Sequence, residues 1–347
     1  MVSGEIIDCK VIIKDEKEAS KIYNKGYYGT PLAGGMLKLE LEEAIYLFET
    51  ERLIIERKGK RIGQDELFKM SEEENFDIKY IVFKDMRERG YIVKSMKKPF
   101  HYIVYPRGGV PKKSDWQYFL CVFHENSVFK TKEILSSIEF AERANKQILF
   151  GLVDDEGDIT YYDICGVRLS RIGTVGELGF MSDAFFVDNT VFIFDSNSAK
   201  KIFDIGFYGI FDGEKTKLSL IETAYLVERG GLSLYDLKTN KKIPIKKLMR
   251  IGKKLEKDFE NKFAVYKALR NLGYIVKTGF KYGTDFRVYD GDPTKQHAPY
   301  LFYIVPENFS CRWAQASMAI RLAHGVRKEI VFAVGGKEYI KLKRIRP

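Results

Sequence analysis

Apolar positions along this chain follow two periods that alternate in a fixed order. From Phe76 to Lys94 (FDIKYIVFKDMRERGYIVK) a helix-period pattern ends at Gly90 and runs into the apolar strand YIVK. The same sequence of events recurs from Phe259 to Lys277 (FENKFAVYKALRNLGYIVK). Glycine suits such an ending because it tolerates the left-handed conformation that closes a helix. Downstream of the second copy, YIVKTGFKYG, TDFRVYDG and APYLFYIV read as three strands, RWAQASMAIRLAHGV as a helix, and KEIVFAV as a strand. Upstream of each copy lies a front part of strand-like runs and short helices.

The chain is one unit written twice. KIYNKGYYG (Lys21–Gly29) matches KIFDIGFYG (Lys201–Gly209), and LKLELEEAIYL (Leu37–Leu47) matches TKLSLIETAYL (Thr216–Leu226). So long a period means tandem domains rather than a solenoid. The expected fold class is α+β, a tandem duplication in which each repeat has a small front subdomain and a back subdomain of mixed strands against helices. The expected boundaries are 1–68 and 69–170 for the first repeat and 184–250 and 251–347 for the second. The glycine-rich, aperiodic stretch 171–183 connects them.

Composition narrows the class. The 347 residues are 45% hydrophobic and 31% charged, which fits a globular protein of two or more domains. The formal charge of +10 favours a polyanionic partner, nucleic acid above all. The four cysteines (Cys9, Cys121, Cys165, Cys311) lie far apart with no CxxC pair, which argues against a zinc ribbon or a disulfide framework. They read as buried apolar residues in a reducing, cytoplasmic setting. The opening MVSGEIIDCKVII has no long apolar segment, and no run approaches membrane-spanning length, so no membrane partner is expected.

Differences between the repeats carry the chemistry. Tyr289 in FRVYDG has a counterpart in Tyr105, and Lys328 in AHGVRKEIVF has one in Lys146. His297 in HAPYLFYIV falls opposite Asp115 in DWQYFLCVF. Tyrosine, histidine and lysine can serve as general base, general acid and fixed cation. The first repeat lacks the acid, because an aspartate is ordinarily ionised at neutral pH, and it reads as a lapsed copy kept for structure. Singly, each residue has an ordinary reading: tyrosines at strand ends pack their rings, and a lysine before EIVFAV is a common strand start. A second difference is electrostatic. The first repeat reads LVDDEGDITYYDI, with Asp154, Asp155, Glu156 and Asp158 together. The second ends AVGGKEYIKLKRIRP, with Lys337, Lys341, Lys343, Arg344 and Arg346. Opposite charge on matching segments suggests docking of one copy onto another, while a DEGD run is also the composition of a tight turn.

The pattern GxxFRxY, then HxxYL, then AHxVRK in the second repeat resembles the catalytic motifs of the archaeal tRNA-splicing endonucleases, and the resemblance extends over nearly the whole chain. It implies a restriction-endonuclease-like mixed sheet in each back subdomain. It further implies metal-independent excision of introns from precursor tRNA at bulge–helix–bulge motifs, with no cofactor, leaving 2′,3′-cyclic phosphate and 5′-hydroxyl ends. Tyr289 would then act on the 2′-hydroxyl, His297 protonate the 5′-oxygen and Lys328 stabilise the phosphorane. The resemblance also implies a homodimer, with Asp154, Asp155, Glu156 and Asp158 as a docking loop. Arg321, with Arg344 or Arg346, would hold a bulge base between subunits.

Two rival readings remain open from the residues. A metal-dependent nuclease would need a carboxylate followed by a Glu-x-Lys pair. Asp285, Asp290 and Asp292 are available, but Glu307 in VPEN lacks the lysine. A non-catalytic RNA-binding subunit of a splicing endonuclease would not need His297, the residue whose position in the first repeat is Asp115.

Overall fold

The computed structural model describes residues 2–71, 74–173 and 178–347. Each repeat opens with a small mixed sheet, six strands in the first and five in the second. Each continues into a helix, Phe76–Glu88 or Phe259–Asn271, that leads to a larger sheet. The fold is α+β and duplicated, but the two large sheets are not separate. They join edge to edge into ten strands. In spatial order these are Ile275–Thr278, Phe286–Tyr289, Tyr300–Val305, Glu329–Val334, Glu338–Ile345, Ile159–Gly166, Gln147–Val153, Tyr118–His124, Tyr102–Tyr105 and Ile92–Ser95.

The seam is the antiparallel pairing of Ile159–Gly166 with Glu338–Ile345, where Tyr161 stands opposite Ile345 and Gly166 opposite Ile340. The basic segment that ends the second repeat is therefore a strand at the middle of the sheet. Its alternation explains both properties: Ile340 and Leu342 are buried on one face while Lys341 and Lys343 stand on the other, and Arg344, on the apolar face, becomes exposed near the strand end. Lys341 and Lys343 lie 3.3 and 3.9 Å from Glu329 and act on Asp163 across the seam. The charge of this strand thus meets Glu329 and Asp163 rather than the 154–158 turn of the same chain.

One hydrophobic core spans the seam, containing Phe129, Ile134, Ile138 and Phe150 from the first repeat and Trp313, Ile320 and Phe332 from the second. Trp313 meets Phe129 edge to face at 4.9 Å and Phe150 at 5.5 Å. The helix Trp313–Gly325 takes its first backbone partners from the other repeat: Trp313 N–H donates to Ser127 O and Ala314 N–H to Glu125 O. A two-stranded ribbon, Val128–Lys130 with Ser310–Arg312, adds a second stitch. Cys121 is buried, whereas Cys9 is exposed in the left-handed turn between the first two strands. In the connection, Ile172 N–H donates to Leu272 O. Residues 174–177 lie outside the described residues, and the strand Ser182–Val187 takes up the last two positions of the 171–183 span.

The three segments that match best between repeats converge on one polar joint, built twice. In the first, Arg87 donates to Gly26 O (2.8 Å) and lies over the Tyr28 ring, Gly29 N–H donates to Glu43, and Lys94 donates to Gly29 O and Glu43. In the second, Arg270 donates to Gly206 O (3.0 Å) and lies over Tyr208, Gly209 N–H donates to Glu222, and Lys277 donates to Gly209 O. Gly209 has φ +66°, and a Cβ there would sit 2.3 Å from Lys217 O, so only glycine fits. Glu222 is 8% exposed and accepts from the N–H groups of Gly209 and Ser219. Its removal leaves buried donors unmet, each costing about 1–3 kcal/mol. Glu222→Ala is expected to lower unfolding free energy by roughly 2–4 kcal/mol. Denaturant titration checks this, and a loss near zero would show that the joint is not structural.

Candidate active site

Strand connectivity brings the candidate residues of the second repeat to one end of the sheet. Tyr289 is the last residue of its strand. That strand is antiparallel to Tyr300–Val305, with Val288 opposite Tyr300, so the loop 290–299 hangs at the sheet end. His297 lies on that loop. Tyr300–Val305 runs parallel to Glu329–Val334, with Tyr300 opposite Glu329. Parallel neighbours start side by side, which puts Lys328, the residue before the second strand, against the loop carrying His297. The contact is direct: Lys328 Nζ donates to Ala298 O at 2.6 Å.

Local structure fixes each group. The helix Trp313–Gly325 ends through Arg327 at φ +55°, and Lys328 N–H returns to Ala323 O at 2.9 Å. The loop is braced internally. Asp292 accepts from Thr294 N–H (2.8 Å) and hydroxyl (2.7 Å), and Gln296 donates to Asp290 (2.8 Å). Tyr289 is 7% exposed and His297 is exposed. Among the described residues no hydrogen bond joins any two of Tyr289, His297 and Lys328. Burial, and then the Arg287 guanidinium, hold the Lys328 ammonium below the usual lysine range. No carboxylate lies within ion-pair distance of Lys328 among the described residues.

The first repeat repeats this frame with different charges. Tyr105 stands opposite Ile92 as Tyr289 stands opposite Ile275. Gln147 pairs with Tyr118 as Glu329 pairs with Tyr300, which makes Lys146 the counterpart of Lys328 and, counting back from Tyr118, Asp115 that of His297. Asn145 and Arg327 share the left-handed conformation, and Lys146 N–H also returns to a helix carbonyl, Ala141 O. Here, however, Lys146 forms an ion pair with Asp115 and lies over the Trp116 ring. Lys146 in turn holds the Asp115 carboxyl below its ordinary range. Burial and the Asp115 charge push the Tyr105 phenol upward. The lysine is neutralised and the tyrosine made harder to ionise.

The other candidate residues are placed as follows. Asp154, Asp155, Glu156 and Asp158 form the hairpin tip before the seam strand. Asp154 shapes the turn by accepting from Glu156 and Asp158 N–H, and Asp155 lies 3.1 Å from His124 Nε2. Glu156 and Asp158 are exposed without ion-pair partners among the described residues. Arg321, on the helix Trp313–Gly325, reaches Thr160 Oγ1 of the first repeat at 3.4 Å. Arg344 is exposed opposite Tyr162 at the seam. Arg346 is exposed beside Pro347, whose carbonyl accepts from Arg89 and Arg107. Asp285 is engaged by Lys262 and Ile304 N–H, and among the described residues no three His, Cys, Asp or Glu side chains gather into a metal-binding group.

Arg287 adjoins the candidates and belongs with them. Its Cζ lies 6.0 Å from the Tyr289 ring centroid, and its charge bears on Lys328. The sequence carried the signal in FRVY against YIVY, where Arg287 aligns with Ile103.

Comparison with known proteins agrees with this duplicated frame. The sequence pattern of the tRNA intron endonuclease N-terminal domain matches residues 2–68 and 182–249, and that of the catalytic C-terminal domain matches 76–161 and 259–341. A tRNA-splicing endonuclease of Methanococcoides burtonii is 35% identical over 99% of both chains. One from Methanosarcina mazei is 36% identical over 96% of both. One from Thermococcus kodakarensis is 38% identical over 42% of this chain and 84% of its own length, so it aligns with a single repeat. With both domain types present twice and relatives similar from end to end, this chain belongs to the tRNA-splicing endonuclease family.

Proposed function

We propose that this chain excises introns from precursor tRNA at bulge–helix–bulge motifs without a metal ion, acting as a homodimer with one active site per chain. The observation that carries this reading is the contrast between repeats. At matching positions the second has His297 and a lysine without a carboxylate partner, and the first has an Asp115–Lys146 ion pair.

The chemistry uses the substrate's own nucleophile. Tyr289 takes the proton of the 2′-hydroxyl next to the scissile phosphate. The 2′-oxygen attacks phosphorus, and the bond from phosphorus to the 5′-oxygen breaks. His297 gives its proton to that oxygen, and Lys328 stabilises the negative charge on the non-bridging oxygens. The products are a 2′,3′-cyclic phosphate and a 5′-hydroxyl. Arg321 of one copy, with Arg344 or Arg346 of the other, stacks on an unpaired bulge base, because A-form RNA hides the base edges of its major groove. The 154–158 turn docks onto the second copy through Glu156 and Asp158.

Cleavage of labelled precursor tRNA in EDTA is expected to proceed and to leave those two ends. His297→Ala is expected to slow it by roughly 10²–10⁴, the usual range for losing a general acid. Lys146→Ala is expected to leave it nearly unchanged. Abolition by EDTA, 5′-phosphate products, or equal losses from both repeats would refute the reading.

The dimer has a separate test. Replacing Asp154, Asp155, Glu156 and Asp158 by Asn or Ser is expected to lower the mass measured by light scattering, because docking charges lose their partners. Unchanged mass and activity would mean that the segment is only a turn.

A further inference from the structure

Among the described residues Arg287 has no ion-pair partner. It projects from the strand Phe286–Tyr289 two residues before Tyr289, hence on the same face. The residue directly opposite on the neighbouring strand is another cation, Lys277. Arg287 bears electrostatically on both Lys277 and Lys328. Like charges facing across a strand pair destabilise it. Its Nε is buried and has no hydrogen-bond partner among the described residues. Glu222, 3.9 Å from Lys277, offsets part of this charge, but among the described residues no carboxylate pairs with Arg287 itself.

The fold does not require it. The first repeat has the same strand pair, with Lys94 opposite Ile103 in the register of Lys277 opposite Arg287. Lys94 makes the same joint contacts, and its distance to Glu43 is 2.9 Å against 3.9 Å for Lys277 to Glu222. An aliphatic residue therefore serves the structure at least as well. The repeat that has the Asp115–Lys146 ion pair also has Ile103, and the repeat that has His297 also has Arg287.

We propose that Arg287 is a second phosphate-binding cation of this site, set one step inward of Tyr289 on the same strand face to receive a non-bridging oxygen of the scissile RNA phosphate. This rests on the endonuclease reading above. A planar guanidinium suits a phosphate oxygen better than a point charge, and the incoming anion relieves the repulsion among the three cations. With Lys328 it brackets the phosphate, so that charge developing on either oxygen meets a fixed donor.

The test is single-turnover cleavage of precursor tRNA carrying either phosphorothioate diastereomer at the scissile phosphate, by wild type, Arg287→Ile, Arg287→Gln and Arg287→Lys. Arg287→Ile copies the first repeat, so it is expected to fold with an unchanged or raised melting temperature. It is expected to cleave the all-oxygen substrate slower by about 10²–10³, as for loss of one preorganised oxyanion donor. The penalty of one diastereomer is expected to shrink in this variant. Arg287→Lys is expected to exceed Arg287→Gln by roughly tenfold, since it keeps the charge. If Arg287→Ile does not fold, the Lys–Gln comparison decides. Arg287→Ile cleaving like wild type, an unchanged thio penalty, or equal Lys and Gln rates would each overturn the inference. A wild type that does not cut precursor tRNA would instead refute the endonuclease reading.

Discussion

The antiparallel pairing of Ile159–Gly166 with Glu338–Ile345 is the constraint on which this molecule depends. Without it, each repeat would expose a strand edge and half of a hydrophobic core. Trp313 and Phe129 come from opposite repeats, and neither could be covered by its own half. The helix that ends at the Lys328 turn also starts on carbonyls of the other repeat. The first repeat is thus bound to the geometry of the second whatever chemistry it has itself. This gives a physical reason for retaining a copy whose lysine is neutralised by Asp115.

The two repeats have kept one set of polar residues and let another drift. Arg87, Glu43 and Lys94 match Arg270, Glu222 and Lys277 because each set satisfies buried glycine backbone groups that would otherwise be unpaired. Those residues hold the front subdomain to the helix and first strand of the back one. At the sheet end the requirement is different. The loop position takes Asp115 in place of a histidine, and the strand position takes Ile103, packed against the core, in place of an arginine, while the strand pairing stays the same. Structural demand fixes the joint, and chemistry alone distinguishes the sheet ends.

The same contrast shows how electrostatics follows from small changes on a shared frame. In the first repeat one carboxylate satisfies the lysine and raises the tyrosine. In the second, Lys328 donates to a carbonyl and has no carboxylate partner among the described residues, and burial together with Arg287 makes its positive charge costly. Positive charge held in this way favours the approach of an anion.

The sequence by itself determined the duplication, the α+β class and the order of elements, because helix and strand periods and closing glycines are local properties. It also placed Tyr289, His297 and Lys328 on a strand end, a loop and a strand start, and the strand register then brought these positions to one end of the sheet. Tertiary structure alone decided the rest. EYIKLKRI reads as a basic segment closing the chain's second repeat until its partner, Ile159–Gly166, far away in the chain, makes it a central strand. The 154–158 carboxylates read as a docking segment or a tight turn, and only the fold shows which of them are engaged within the chain, Asp154 shaping the turn and Asp155 lying beside His124. Arg287 reads as one strand cation among many. Its meaning depends on facing Lys277 across a ladder, and pairing between distant strands is not a property of either segment alone.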